Sequence, residues 1–185
     1  MSFHRIHITG APGSGKTTLG DALSLHLRVV HIDADSTVWQ STDPPYTFRN
    51  SIAVRKTLLR KDLQCFDSWV LSGSVHNWGD EVYENLTLAV LLVTATDIRM
   101  KRLAEREQAK FGSRIALSGD LHDNHVRFMN KAASYDEGEA STRSLRRDKM
   151  WLRTLACPTI LLDGSGDVND LIMALDYYLR ELSRQ

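Results

Sequence analysis

Residues 10 to 17 read GAPGSGKT and match the pattern GxxxxGK[ST] at every fixed position. The motif follows a β-rich apolar run at Arg5–Thr9. Apolar residues at helical spacing come directly after it, namely Leu19, Ala22, Leu23 and Leu27. This glycine-rich turn constrains the chain more than any other feature, because it requires a buried strand that delivers it to the N-terminus of a helix.

A loop of this composition is suited to hold phosphate groups. Its glycines let backbone N–H groups converge on phosphate oxygens without Cβ clashes, and the helix N-terminus adds a positive partial charge. We expect Lys16 to reach the β- and γ-phosphates and the Thr17 hydroxyl to bind Mg²⁺. The predicted nucleotide-binding residues of the loop are Gly10, Pro12, Gly13, Ser14, Gly15, Lys16, Thr17 and Thr18. The alternative is a glycine-rich turn that binds no ligand.

Short β-rich runs recur along the chain and alternate with helical patterns. After Arg5–Thr9, the predicted strands are Val29–Asp33, Trp69–Ser72, Leu88–Val93 and Thr159–Asp163. The stretch from Val168 to Leu182 has one apolar helical face, and Asp167 is a candidate N-cap for it. Nearly continuous apolar strands alternating with helices are typical of a parallel sheet covered on both faces. We therefore predict an α/β fold with a three-layer, doubly wound, five-stranded parallel sheet.

The length of 185 residues fits a single domain, which we expect to span residues 1–185. One segment departs from the alternating pattern, because Phe111 to Gly138 is polar, dotted with glycine and short of apolar residues. We predict that residues 111–139 form a mobile, lid-like excursion of the domain. Within it, His122 and His125 are expected to be surface residues on a polar helical stretch, rather than metal ligands.

Two carboxylates, Asp33 and Asp35, follow the second predicted strand. The carboxyl ends of parallel strands are where open α/β sheets bind ligands. Together with the loop, this DxD resembles the small P-loop kinases, a superfamily that includes adenylate, nucleoside monophosphate, shikimate and gluconate kinases. The resemblance implies ATP and Mg²⁺ as cofactors, with Asp33 organising the metal and Asp35 contacting the acceptor hydroxyl. A strand-terminating turn at Asp33 and a helix N-cap at Asp35 are the alternatives.

The resemblance also implies an acceptor-binding region at residues 36–66. Side chains suited to stacking and anion pairing occur there, namely Trp39, Tyr46, Arg49 and Arg55. The turn Ser72-Gly73-Ser74 lies where shikimate kinases have a glycine-rich substrate loop, and an ordinary turn is the alternative. This chain lacks the full glycine triplet, and it also lacks the Asp-Gly-Phe-Pro-Arg pattern of monophosphate kinases. The sequence therefore does not name the acceptor.

Arginines in the second half of the chain are candidates to contact the transferred phosphoryl group. Arg99, Arg102 and Arg106 are spaced by three and four residues, so a helix would place them on one face. By resemblance, Arg102 and Arg106 correspond to a pair that enters the lid of the monophosphate kinases. Guanidinium groups that neutralise the equatorial oxygens are a recurrent device in phosphoryl transfer. The alternative is a solvated, charged helix face.

Further arginines lie in and after the predicted lid. Arg114 is positioned like a lid arginine that covers the nucleotide in shikimate-kinase-like proteins. A second amphipathic helix is predicted over Thr142–Leu155. Arg143 and Arg147 on it resemble two arginines of adenylate kinases that reach the phosphates from the corresponding helix.

The overall composition excludes some classes of protein. Lys and Arg total 23, as do Asp and Glu, and the excess of 13 basic over 9 acidic residues between Asp97 and Arg153 is modest. A nucleic-acid partner is therefore unlikely on these grounds. Cys65 and Cys157 are far apart and form no metal-binding pattern. With neither a signal-peptide pattern nor a membrane span, we expect a cytoplasmic protein that is a monomer or homodimer.

The sequence thus predicts an ATP-dependent phosphotransferase that moves the γ-phosphate to a small-molecule or nucleotide acceptor. A GTPase is disfavoured because no guanine-selecting NKxD pattern follows a later strand. The remaining alternative is a nucleotide-binding regulatory protein with weak ATPase activity, associated with nucleic acid in the way proposed for adenylate-kinase-like DNA-topology modulators.

Overall fold

The computed structural model describes residues 3–79, 82 and 86–184. Within these residues a single parallel sheet has five strands: β1 (Arg5–Gly10), β2 (Val30–Asp33), β3 (Trp69–Ser72), β4 (Leu88–Val93) and β5 (Thr159–Asp163). Their spatial order is β2-β3-β1-β4-β5, and every neighbouring pair is parallel. The predicted fold class is confirmed, and the bounds of the predicted strands differ from these by at most one residue.

Helices connect the strands and cover both faces of the sheet. They are α1 (Lys16–Leu27), α2 (Asp35–Val38), α3 (Ile52–Gln64), α4 (Thr96–Phe111), α5 (His122–Ala133), α6 (Leu145–Leu152) and α7 (Val168–Leu182). A 3₁₀ turn, Gly112–Ile115, follows α4. Asp167 caps α7 as predicted, since its side chain accepts a hydrogen bond from the backbone N–H of Asn169. No helix in the described ranges is long and apolar enough to cross a membrane.

The core has two layers because alternate strand residues point to opposite faces of the sheet. On one face, Ile8 and Val70 pack with Leu19 and Leu23 of α1 and with Leu175 of α7. Each such side chain, when fully buried, stabilises the fold by roughly 1.5–3 kcal/mol relative to exposure. The opposite face is covered by α3 and α6 through the cluster Leu59, Leu71, Ala89, Leu91, Trp151 and Leu152.

The strand order brings three strand ends together at one edge of the sheet. β3 lies between β1 and β2, so Ser72 is the Cα partner of Ile8 on one side and of Asp33 on the other. The glycine-rich loop follows the carboxyl end of β1 and leads into α1. The motif and the DxD carboxylates therefore lie at the same carboxyl edge.

Residues 111–139 contain the 3₁₀ turn and the regular helix α5, which includes the polar helical stretch expected around His122 and His125. One predicted helix differs from the observed segment. The helix predicted over Thr142–Leu155 begins only at Leu145, because Ser144 has extended backbone angles and its side chain accepts a hydrogen bond from the Arg147 N–H. A serine cap of this kind fixes the start of a helix at the next residue.

Candidate functional site

The loop between β1 and α1 has the backbone conformation that its glycines allow. Gly10 has φ 146° and Gly13 has φ 77°, a region that side chains rarely permit. A Cβ at Gly10 would lie 2.3 Å from the Leu92 carbonyl oxygen, and one at Gly13 would lie 2.7 Å from the Arg99 carbonyl oxygen. Both positions therefore require glycine, because a side chain would clash with a neighbouring carbonyl oxygen and would also disfavour the observed φ angle.

The loop presents unpaired donors at the N-terminus of α1. The N-cap residue, Gly15, supplies no side-chain hydrogen bond to the first turn. The buried Ser14 hydroxyl has no hydrogen-bond partner in the described part of the chain. Buried polar groups without partners are rare in folded proteins, and a helix N-terminus favours anions. These features fit a bound phosphate group.

Lys16 lies within the loop, where its Nζ donates a hydrogen bond of 2.6 Å to the Ala11 carbonyl oxygen. Burial, and after it the nearby Arg143 guanidinium, lower the pKa of this ammonium group to about 7, against the opposing effects of Asp35, Asp148 and Asp33. A buried cation next to a second cation needs an anion to stabilise it. A polyphosphate in the loop would be such an anion.

Thr17 and Asp33 form the predicted metal pair, with the Thr17 hydroxyl 3.5 Å from Asp33 Oδ2. Burial raises the Asp33 pKa, and its Oδ1 accepts a 3.0 Å hydrogen bond from the Asp35 backbone N–H. Mg²⁺ prefers such oxygen ligands and takes only one or two from the protein when phosphates supply the rest. Within the described residues, no group of three or more His, Cys, Asp or Glu side chains is arranged to hold a metal ion.

Asp35 is exposed and is the first residue of α2. The N-cap position of α2 is Ala34, and Asp33 Oδ1 accepts the Asp35 N–H, so Asp35 itself is not the N-cap. The turn after β3 lies beside it, because a Cβ at Gly73 would be 3.5 Å from the Asp35 backbone nitrogen. His7 holds this turn through a 2.9 Å hydrogen bond from its Nε2 to the Gly73 carbonyl oxygen. The two proposed acceptor contacts are therefore neighbours.

Two of the predicted arginines reach the loop. Arg102 donates a 2.9 Å hydrogen bond to the Gly164 carbonyl oxygen, and its Nη1 would be 3.8 Å from a Cβ placed on Gly15. Arg143 donates through Nη2 to the Gly10 carbonyl oxygen at 3.2 Å, and its buried Nε has no partner among the described residues. Both guanidinium groups therefore lie against the loop with donor capacity to spare.

Arg106 and Arg147 lie elsewhere in this conformation. Arg106 pairs with Glu107 at 3.0 Å and lies over the Phe128 ring. Arg147 is half-buried on α6, where its backbone N–H bonds to Ser144. Neither side chain forms a hydrogen bond or ion pair with residues 10–17 in the described part of the structure. Their roles at the phosphates stay predictions.

Arg114 connects the predicted lid to the predicted acceptor region. Its guanidinium pairs with Asp120 at 2.6 Å and with Asp43 at 2.8 Å, and both carboxylates hold the Arg114 pKa above its usual range. Beside it, Lys110 donates a hydrogen bond to the Tyr46 hydroxyl, and Tyr46 packs edge-on against the Phe111 ring. The start of residues 111–139 therefore contacts residues 36–66 across the site.

Arg99 has a structural role that the sequence analysis did not predict. Its side chain is fully buried and donates to the carbonyl oxygens of Thr94 and Ala132, both at 3.0 Å, and to Asp136 at 2.9 Å. A longer bond of 3.4 Å reaches the Pro12 carbonyl oxygen in the loop. Helical spacing groups Arg99 with Arg102, but the Ala132, Asp136 and Pro12 partners of Arg99 lie outside this helix, so helical spacing alone could not have separated the two arginines.

His7 and Asp148 are further residues that the sequence analysis did not identify. Burial lowers the His7 pKa to about 4; the hydrogen bond to Gly73 opposes this shift and the charge of Lys16 adds a smaller contribution to it. Asp148 is buried and accepts a 2.6 Å hydrogen bond from the Tyr135 hydroxyl. A buried histidine was foreseeable, since His7 lies between two apolar residues of β1. Asp148 carried no comparable signal.

The side chains of Trp39 and Trp78 have different environments. Trp78 is buried and belongs to the core cluster on the α3 face of the sheet. Trp39 is half-buried, lies edge-on to Tyr46 and has the Arg49 guanidinium 4.6 Å from its ring centroid. Trp39 therefore remains a candidate for stacking in residues 36–66, whereas Trp78 is a core residue.

Comparisons with known proteins agree with this geometry. A family model described as an AAA domain matches residues 6–124, which is more than half of the chain. The uncharacterized protein YqaC of Bacillus subtilis (strain 168) is 35% identical over 173 residues, which cover 93% of this chain and 96% of that protein. The chain is therefore similar to this relative over nearly its whole length.

Solved structures with the same fold include kinases. Shikimate kinase from Acinetobacter baumannii, in complex with shikimate, has a TM-score of 0.55 at 17% identity, covering 97% of this chain and 94% of that one. Shikimate kinase from Bacteroides thetaiotaomicron has a TM-score of 0.53 at 20% identity, with coverages of 97% and 99%. A sugar kinase from Janibacter sp. HTCC2649 has a TM-score of 0.53 at 16% identity, with coverages of 97% and 95%. The chain belongs to the family of that AAA domain, and it has the fold of the small P-loop kinases.

Proposed function

We propose that this protein is an Mg²⁺- and ATP-dependent phosphotransferase that moves the γ-phosphate to a hydroxyl group of a small molecule or nucleotide. The observation that carries the proposal is the convergence of Lys16 and Arg143 on one loop, with Asp35 close enough to raise the Lys16 pKa. Two cations and a carboxylate at the same edge of a sheet match the needs of phosphoryl transfer, which is catalysed chiefly by positioning and charge stabilisation.

The loop binds the polyphosphate through its backbone N–H groups, the Ser14 hydroxyl and the Lys16 ammonium group. A magnesium ion would be held by Thr17 and Asp33 and would supply positive charge to the phosphate oxygens. Arg102 and Arg143 stabilise the charge that spreads over the equatorial oxygens of the transferred group. Arg106 and Arg147 are proposed to join them when the nucleotide is bound.

Asp35 orients the acceptor hydroxyl and accepts a hydrogen bond from it. Its exposed side chain at the start of α2 is open to a ligand, and the turn at Gly73 lies beside it. In protein kinases an aspartate accepts the proton of the attacking hydroxyl in the same way. Trp39 and Arg49 are suited to contact the rest of the acceptor within residues 36–66.

Residues 1–185 are proposed to form one kinase-like domain in which residues 111–139 act as a lid over residues 36–66. The contacts of Arg114 with Asp43 and of Lys110 with Tyr46 support this assignment. A closed lid excludes water and so favours transfer to the acceptor over hydrolysis. The Acinetobacter neighbour binds shikimate and another neighbour is a sugar kinase, which supports a small-molecule acceptor.

An ADP-release screen tests the proposal. ATP or GTP with MgCl₂ would be offered together with nucleoside monophosphates, nucleosides and small polyol acids, and the phosphorylated product would be identified by ³¹P NMR. We expect acceptor-dependent ADP release with ATP and none with Lys16→Ala. ATP hydrolysis without a phosphorylated product would instead favour a nucleotide-binding regulatory protein. Failure of the folded wild type to bind any nucleotide would overturn both functions.

A further inference from the structure

Tyr135 is joined to the start of α6 by two hydrogen bonds, one from its backbone and one from its side chain. Its carbonyl oxygen accepts a 3.0 Å hydrogen bond from the Leu145 N–H, and its hydroxyl donates a 2.6 Å hydrogen bond to Asp148 Oδ2. Leu145 begins α6 and Asp148 lies in the first turn of this helix. Both Tyr135 and Asp148 are buried, so water does not compete for the side-chain bond. The chain from 135 to 145 is thereby closed into a loop.

This closed segment carries Arg143. The residues on either side of Arg143 bond to one carbonyl oxygen, that of Glu139. Thr142 donates to it through its backbone N–H at 3.0 Å, and Ser144 donates through its hydroxyl at 2.8 Å. A Cβ at Gly138 would lie 2.9 Å from the Ser144 Cβ, so the segment is closely packed. The backbone of Arg143 is therefore held on both sides.

The side chain of Arg143 has few partners of its own. Its Nη2 donates to the Gly10 carbonyl oxygen at 3.2 Å, and its buried Nε has no partner among the described residues. A guanidinium group has more N–H donors than this bond uses. The position of Arg143 against the glycine-rich loop thus depends chiefly on the backbone that carries it.

The surroundings of Tyr135 keep its hydroxyl in place as a donor. Burial, and after it the charge of Asp148, raise the Tyr135 pKa, so the hydroxyl keeps its proton. The Arg143 guanidinium acts on this pKa in the opposite direction, which indicates that it lies within electrostatic reach of the pair. The Arg99 guanidinium lies 5.6 Å from the centroid of the Tyr135 ring and bonds to the neighbouring Asp136 at 2.9 Å. The tyrosine is therefore fixed from several sides.

We propose that Tyr135 is a positioning residue: by its bond to Asp148 it fixes the first turn of α6 and so holds Arg143 ready to contact the γ-phosphate of a nucleotide. This inference rests on the proposed function, in which Arg143 stabilises the transferred group. Tyr135 itself touches no ligand, so its effect should fall on the γ-phosphate and spare ADP. A merely structural bond would change the thermal stability alone or weaken both nucleotides equally.

Calorimetric titrations with ADP and with the non-hydrolysable analogue β,γ-imido-ATP, both in MgCl₂, test the proposal on Tyr135→Phe, Arg143→Ala and the double variant. We expect Tyr135→Phe to lose about three- to tenfold in affinity for the analogue, as for one lost hydrogen bond. Its affinity for ADP should stay within about twofold of wild type. Because Tyr135 acts through Arg143, the double variant should lose no more than Arg143→Ala alone.

Tyr135→Phe leaves the buried Asp148 carboxylate without this donor, so a second variant keeps the test decisive if the first does not fold. Tyr135→Phe combined with Asp148→Leu removes both polar partners, which costs less stability than removing one. Its readout is the ratio of the two affinities, because loss of the Asp148 charge acts on Lys16 and hence on both nucleotides. This ratio should fall as in Tyr135→Phe.

Thr154→Val is the matched control. It removes a 2.7 Å hydrogen bond from the Thr154 hydroxyl to the Trp151 carbonyl oxygen at the other end of α6. Thermal unfolding of all variants measures the loss of stability. The control should leave both affinities within about twofold of wild type even though it destabilises the same helix.

The outcomes separate the two proposals. If the wild type transfers phosphate but the Tyr135 variants keep the wild-type ratio of affinities, the positioning role is wrong and the proposed function stands. Equal weakening of ADP and the analogue, or losses that add in the double variant with Arg143→Ala, also overturn the positioning role. If the folded wild type binds neither nucleotide, the proposed function itself fails.

Discussion

Arg143 and Lys16 are two cations held at the same loop. Arg143 bonds to the Gly10 carbonyl oxygen at 3.2 Å, and its charge adds to the effect of burial in lowering the Lys16 pKa to about 7, against the opposing effects of Asp35, Asp148 and Asp33. The stability and the ligand binding of the site should therefore both depend on the charge of Lys16.

Lys16→Met should stabilise the ligand-free protein at pH 7 and below while abolishing nucleotide binding. The folded-state pKa near 7 lies below the ordinary value of 10.5, so the unfolded chain binds more protons between these values. Stability of the wild type therefore rises with pH across that window, and the penalty below pH 7 is on the order of a few kcal/mol. Urea denaturation of both proteins from pH 6 to pH 9 measures the difference in their free energies of unfolding. A smaller difference at pH 6 than at pH 9 would contradict the prediction.

Above pH 7, the protein should take up a proton at Lys16 when it binds a nucleotide. A polyphosphate next to Lys16 favours the charged ammonium, so binding restores the proton that burial removes. At pH 8 we expect uptake of up to about one proton per ADP. Calorimetry in two buffers of different ionisation enthalpy gives this number, and an unchanged heat between the buffers would speak against the effect.

Acid should destabilise the protein through His7. Burial lowers the His7 pKa to about 4, below its ordinary value of 6.5, so stability is present above pH 6.5 and is lost as the pH falls towards 4. At pH 5 the expected loss is about 2 kcal/mol. The free energy of unfolding, measured by urea denaturation at pH 7 and pH 5, checks this prediction. The variant His7→Gln should lose this part of the pH dependence.

Arg99→Leu should destabilise the fold by roughly 2–4 kcal/mol, because it leaves buried carbonyl groups and Asp136 without their donor. Arg106→Leu on the same helix is the matched control, since the Arg106 side chain is 57% exposed. Although its partner Glu107 is largely buried, the Arg106 guanidinium is solvated, so the loss of this ion pair should destabilise the fold less than the loss of Arg99. Thermal unfolding of both variants compares them, and equal effects would show that Arg99 is not a structural residue.

Asp35→Asn should lower the rate of transfer by about 10²-fold or more and leave ADP binding nearly unchanged. The reason is that Asp35 is proposed to act on the acceptor, whereas the loop binds the nucleotide. The kcat with the acceptor found in the screen and the Kd for ADP are the two measurements. A parallel loss in both would assign Asp35 to nucleotide binding instead.

The strands and the loop were predictable because their signals are local. A parallel strand buried on both faces, such as Leu88–Val93, is apolar throughout, and the loop pattern is contiguous in sequence. The hydrogen bonds of His31 with Asp21 and Ser72 were not predictable, since these partners are 10 and 41 residues from His31 and no spacing rule joins them. Side-chain partners of this kind depend on strand order and register, which the sequence does not specify residue by residue.

The same limit applies to the arginines. Helical spacing places Arg99 and Arg102 on one face of the helix, but the two side chains have different roles. A helix face is wide enough for Arg99 to enter the core while Arg102 reaches the loop. The start of α6 was also not predictable. Ser144 caps this helix because its backbone angles are extended, and the apolar pattern of the following residues does not predict those angles.

The bonds of Arg99 also bear on how residues 111–139, the proposed lid, would move. Its guanidinium joins the Pro12 carbonyl in the loop to the Ala132 carbonyl and to Asp136, so the end of α5 is tied to the phosphate-binding loop. Near the other end of the proposed lid, the Arg114 guanidinium pairs with the exposed carboxylates of Asp43 and Asp120, and exposed ion pairs are individually weak. If these residues act as a lid, we expect them to pivot at Ala132, so that opening withdraws Arg114 while Arg143 keeps its place against the loop.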